Sequence, residues 1–82
     1  MPLPSQLQVI YDAQSQEVRD KLARQLAEGT DPVPLCCSTD STGNEVCIAV
    51  ESHTQCCAGC AQKYCTHGMT NNDGSVTCYD ET

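Results

Sequence analysis

Eight cysteines dominate the chemistry open to this sequence: Cys36, Cys37, Cys47, Cys56, Cys57, Cys60, Cys65 and Cys78, all in the second half of an 82-residue chain. In an oxidising compartment such thiols become disulfides, whereas in a reducing one they serve as metal ligands or catalytic groups. The even count suits four bridges. Two adjacent pairs, Cys36-Cys37 and Cys56-Cys57, stand out. A bond between chain neighbours is strained by backbone geometry, so each doublet is expected to tie two distant segments to one place. The spacing leaves the connectivity open.

Zinc is the rival chemistry. Cys57-Ala-Gly-Cys60 has the C-x2-C spacing of a zinc knuckle, and His53, Cys65 and His67 follow or precede it closely, so Cys57, Cys60, Cys65 and His67 form an alternative ligand set. A second well-spaced C-x2-C is missing, however, and doublets are unusual in zinc sites. A four-thiolate site would also add about −2 to a chain whose net charge is already −7. Disulfides are favoured, with no cofactor expected. The same C-x2-C matches a thiol–disulfide redox motif, but such enzymes place it after a strand in a larger α/β fold, and neither the length nor a βαβ pattern is present. His53 and His67 lack a patterned nucleophile and orienting acid. No G-x-S-x-G, H-E-x-x-H or phosphate-cradling glycine loop occurs, so no enzyme is expected.

The composition agrees with a stapled scaffold. A chain this short buries a small fraction of its surface, and with no Trp, no Phe and three Tyr its core must be thin. Eleven acidic residues against four basic ones argue against nucleic acid, whose phosphates need a positive surface. No apolar run approaches membrane-spanning length, so no membrane insertion is expected. Met1-Pro-Leu-Pro lacks the basic start of a leader, and Met1 is read as a start replacing a removed one. The expected location is extracellular.

The elements that position the cysteines divide sharply, into a helical arm and Pro-rich junction over 1–35 and a cysteine-rich module over 36–82. Leu7, Ile10, Tyr11, Val18, Leu22 and Leu26 recur at helical spacing, predicting one amphipathic helix over about residues 5–28. Gln14 and Ser15 interrupt the stripe, where Asp12 or Ser15 would cap a second helix if the chain bent. Ser5 and Gln8 have capping-box spacing, and Glu17 with Lys21 and Asp20 with Arg24 have the spacing of helical ion pairs. Gly29 closes the helix and Pro32 and Pro34 stop it. The stripe is expected to pack on the module, with self-association through Leu7, Tyr11, Val18, Leu22 and Leu26 as an alternative. In the module, Asp40–Asn44 and Asn71–Gly74 are turn signals, each followed by a short β-branched run, Glu45–Val50 and Ser75–Tyr79, which predicts two hairpins. His53 to Tyr64 reads as a short helix. The fold class is a small disulfide-rich α+β protein.

On its doublets Cys36-Cys37 and Cys56-Cys57 and its short polar loops, the module resembles in architecture the small secreted cysteine-rich proteins that fungi use as effectors and animals use as toxins. It departs from hydrophobins, which carry a lone cysteine before their first doublet, and from granulins, which carry more doublets. Membrane-active toxins are usually basic, and here the module holds one cation, Lys63. The resemblance therefore implies a secreted binding protein, an effector, inhibitor or signalling ligand. Loops on a stapled scaffold usually carry contacts, so Ser38–Asn44 and His67–Ser75 are where a protein partner is expected.

Overall fold

The computed structural model describes residues 3–79; Met1 lies outside them. Two helices, α1 (Ser5–Ala13) and α2 (Gln16–Glu28), precede five strands, β1 (Val33–Thr39), β2 (Glu45–Ala49), β3 (Ala61–Cys65), β4 (Gly68–Thr70) and β5 (Val76–Cys78). Strands β2, β1 and β3 form an antiparallel sheet in that order, and β4 pairs with β5 in a separate antiparallel hairpin. This is the expected small disulfide-rich α+β fold.

The centre of the molecule is β1. Successive residues of a strand point to opposite faces of its sheet, and β1 is buried on both. Cys36 joins Leu3, Leu7, Ile10, Ile48 and Val50 in one core cluster. Val33, Leu35 and Cys37 join Leu22, Leu26 and Cys65 in another. One helix therefore covers each face, α1 the Cys36 side and α2 the Cys37 side.

That arrangement corrects the single helix over 5–28. A straight rod cannot cover both faces of a sheet, so the chain must break where it passes the edge. Gln14 adopts extended backbone there, with φ −84° and ψ 143°, and Ser15 restarts the helix by accepting from the Val18 N–H at 3.2 Å. The apolar stripe is split accordingly. Leu7, Ile10 and Tyr11 pack on one face, Val18, Leu22 and Leu26 on the other. Little of the stripe is left for self-association, because Leu7, Leu22 and Leu26 are buried in the chain's own core clusters and Tyr11 and Val18 are partly buried against them.

Gln14 does more than interrupt the helix. Its side chain is buried and its Nε2 donates to the Ala49 carbonyl at 3.1 Å, capping the last residue of the edge strand β2. Smaller helical expectations are also corrected. Pro4, not Ser5, stands at the N-cap of α1, its carbonyl accepting from Leu7 and Gln8, and no side-chain cap forms. Lys21 reaches Glu51 at 3.3 Å rather than Glu17, and Asp20 accepts from Gln16 rather than pairing with Arg24. Gly29 ends α2 as expected, in the left-handed conformation with φ 70°.

Both predicted hairpins form, but the helix expected within His53–Tyr64 does not. A 3-10 turn occupies only His53–Gln55, closed by a capping box in which the Ser52 Oγ accepts from the Thr54 N–H and Gln55 accepts from the Ser52 N–H. After the turn that follows it, Ala61–Tyr64 belongs to strand β3 (Ala61–Cys65) on β1. Pro34 is tolerated in the central strand because it lies beyond the β1–β2 ladder, where its carbonyl still accepts from Val50 at 3.0 Å.

Two substitutions test this packing by denaturant unfolding. Leu26→Ala, at a fully buried position, should cost about 2–5 kcal/mol, and Gln14→Ala, which strips the Ala49 carbonyl of its donor, about 1–3 kcal/mol. Val9→Ala on the exposed face of α1 should stay within about 0.5 kcal/mol. Equal, small losses at all three would contradict the two-faced core.

Candidate functional site

The doublet Cys36-Cys37 follows from the strand that carries it. Cys36 bonds Cys56 on the α1 face, and Cys37 bonds Cys47, its directly opposed partner in β2, on the α2 face. Cys65 of β3 bonds Cys78 of β5, fastening the second hairpin to the sheet, and Cys57 bonds Cys60 within one turn. All eight cysteines are thus paired. The expectation that each doublet joins distant segments holds for Cys36-Cys37 and only half holds for Cys56-Cys57, because Cys57 closes a local loop.

The bridges differ in what they hold. They span 20, 10, 13 and 3 residues for Cys36–Cys56, Cys37–Cys47, Cys65–Cys78 and Cys57–Cys60. On the loop-entropy scale the first three each constrain the unfolded chain by about 3 kcal/mol and the last by about 2 kcal/mol.

This pairing corrects the zinc alternative. Cys57 and Cys60 are bonded to each other and Cys65 to Cys78, so the set Cys57, Cys60, Cys65 and His67 has no thiolate to offer. A second grouping, Cys37, Glu45 and Cys47, brings its ligand atoms within 4.8 Å of one another. Its two sulfurs form a disulfide, and the Glu45 carboxylate takes the Lys63 ammonium at 2.7 Å. His53 contacts the Lys63 carbonyl through Nε2 at 2.9 Å and packs edge-on against Tyr64. His67 packs edge-on against Tyr79.

The exposed loops are built alike. In the first turn Asp40 accepts from the Thr42 hydroxyl at 2.7 Å and from the Thr42 and Asn44 N–H groups at 2.9 Å. In the second, Asp73 accepts from the Ser75 hydroxyl at 2.6 Å and the Ser75 N–H at 3.0 Å. Gly74 takes φ 96° and lies so near the Tyr11 ring that an added Cβ would come within 2.8 Å. The second turn is therefore seated on α1, while Asn72 and Asp73 face solvent.

The β4–β5 hairpin presents one exposed side, half of which, His67 and Met69, lies in the expected stretch His67–Ser75, while Thr77 and Tyr79 lie outside it. Met69 opposes Thr77, and His67 and Tyr79 lie two residues further along on the same face. All four are exposed, Met69 by 45% and Tyr79 by 58%. Gly68, Val76 and Cys78 turn inward. The alternation of Thr77 and Tyr79 with Cys78 was the available signal. A second feature with no distinct sequence signal is a small cleft bordered by Tyr11, Gln14, Arg19, Leu22, Thr70 and Val76, where the Arg19 guanidinium lies 4.6 Å from the Tyr11 ring centre. Buried Gln14 Oε1 and Arg19 Nε have no hydrogen-bond partner among the described residues.

No helix among the described residues is long and apolar enough to cross a membrane. Comparison with protein-family models, curated proteins and solved structures finds no match.

The turn carboxyls carry a pH prediction. Hydrogen bonds from the Thr42 hydroxyl and the Asn44 N–H hold Asp40 below its ordinary value of 3.8, and the Ser75 hydroxyl and N–H do the same to Asp73. A carboxyl depressed on folding contributes fully above its unfolded value and loses that contribution as pH falls through the folded one. Carboxyl-carbon NMR titration should give midpoints under 3.8 for both, with the turns loosening only in more acid solution. Midpoints at or above that value would contradict the locked turns.

Proposed function

We propose that this protein is a secreted, non-enzymatic, effector-like binding protein that meets a protein partner through the exposed face of the β4–β5 hairpin and its turn. The observation that carries the reading is the quartet His67, Met69, Thr77 and Tyr79 on a hairpin fastened by Cys65–Cys78. Tyr and Met are enriched at protein interfaces, and a surface already ordered by a staple and an Asp-locked turn loses little freedom on binding. The four disulfides support an oxidising, extracellular setting. The net charge of −7 favours a partner whose surface is positive, since complementary charge speeds encounter.

The double variant Met69→Ala/Tyr79→Ala separates binding from folding. Both side chains are exposed, so the melting temperature should move little. Proteins captured from extracellular or host extract by the immobilised wild type should bind the double variant at least about 30-fold more weakly, while Val9→Ala captures as before. Capture unaffected by the double variant, or no partner captured at all, would overturn the reading.

A further inference from the structure

Cys57–Cys60 is the one bridge with neither cysteine in a helix or strand. Both cysteines lie in the turn between His53–Gln55 and β3, and the Cys60 N–H already bonds the Cys57 carbonyl at 3.1 Å. The turn is thus closed by its backbone as well as by sulfur. Each other bridge has a fully buried member, Cys36, Cys37 or Cys65, whereas Cys57 and Cys60 are both only half-buried. Ala58 and Gly59 between them are exposed, and a Cβ built on Gly59 meets nothing within 4 Å. Cys57 and Cys60 pack against the α1-face cluster, but the turn between them is open to solvent.

We propose that Cys57–Cys60 is a thiol-exchange site, the bridge that an external dithiol opens first, giving a folded three-disulfide form with two free thiols. A thiolate of the dithiol attacks one sulfur of the bridge, forming an intermolecular disulfide and releasing the other cysteine as thiolate. The second thiol of the dithiol then attacks that mixed disulfide, closing its own disulfide and releasing the first cysteine. The dithiol is oxidised by two electrons and the pair Cys57 and Cys60 takes up those electrons with two protons. Access governs the first step and the closed loop governs the balance, because a loop of this length restrains the unfolded chain least. The protein's negative charge further favours an uncharged dithiol over an anionic thiol such as glutathione. The site stands independently of any partner on the β4–β5 hairpin.

The test is partial reduction of the full chain in graded dithiothreitol redox buffers, with acid quench, alkylation, intact mass and peptide mapping. The first species to accumulate should carry two alkyl groups, on Cys57 and Cys60, with an unchanged circular dichroism spectrum. A Cys57→Ser/Cys60→Ser variant should lack that species and need a buffer about fivefold to tenfold more reducing before its first bridge opens. First alkylation at any other pair, or simultaneous opening of all four bridges, would overturn the proposal on the wild-type protein alone.

Discussion

The molecule depends on a strand buried on both sides. β1 carries Leu35 and Cys37 to one face and Cys36 to the other, and a small chain with so few large apolar residues can fill both layers only by putting a helix on each. The doublet Cys36-Cys37 performs the same division in covalent form. One sulfur fastens the segment after β2 beneath α1, and the other locks β2 across the sheet beneath α2. Burial and cross-linking thus share one geometric cause, the alternation of side chains along an extended chain.

Gln14 is the consequence at the edge. Where the chain passes from one face to the other it must give up helical hydrogen bonds, and the end of the edge strand β2 offers the Ala49 carbonyl, which needs a donor. The Gln14 amide answers the second demand at the place where the first arises. Ser15 then supplies the next helix with its cap. Two incomplete local structures complete each other there.

Much of this was legible in the residues. Gly29 with its following prolines marked the end of α2, and Asp40–Asn44 and Asn71–Gly74 marked both hairpins, because turn chemistry is local. The cysteine count announced the staples. The break at Gln14 was visible as an interruption, yet its scale was not, since the reason for it is a sheet built by residues far along the chain, down to the Ala49 carbonyl that Gln14 meets. Strand β3 was hidden for a related reason. Ala61-Gln-Lys-Tyr-Cys65 lacks β-branched residues and becomes a strand only because β1 offers it an edge. The exposed quartet on β4 and β5 needed the register of that hairpin before it could be seen as one surface. Three bridges and two helices hold a frame, while the β4–β5 hairpin face and the Cys57–Cys60 turn are left at its surface.

Disulfide mapping tests the central claim most directly. Non-reducing proteolysis at acid pH, with stepwise phosphine reduction and alkylation to resolve the doublets, should return Cys36–Cys56, Cys37–Cys47, Cys57–Cys60 and Cys65–Cys78. Finding Cys36 joined to Cys47 and Cys37 to Cys56 would contradict the account, because it would put both sulfurs of the doublet on the wrong faces of β1.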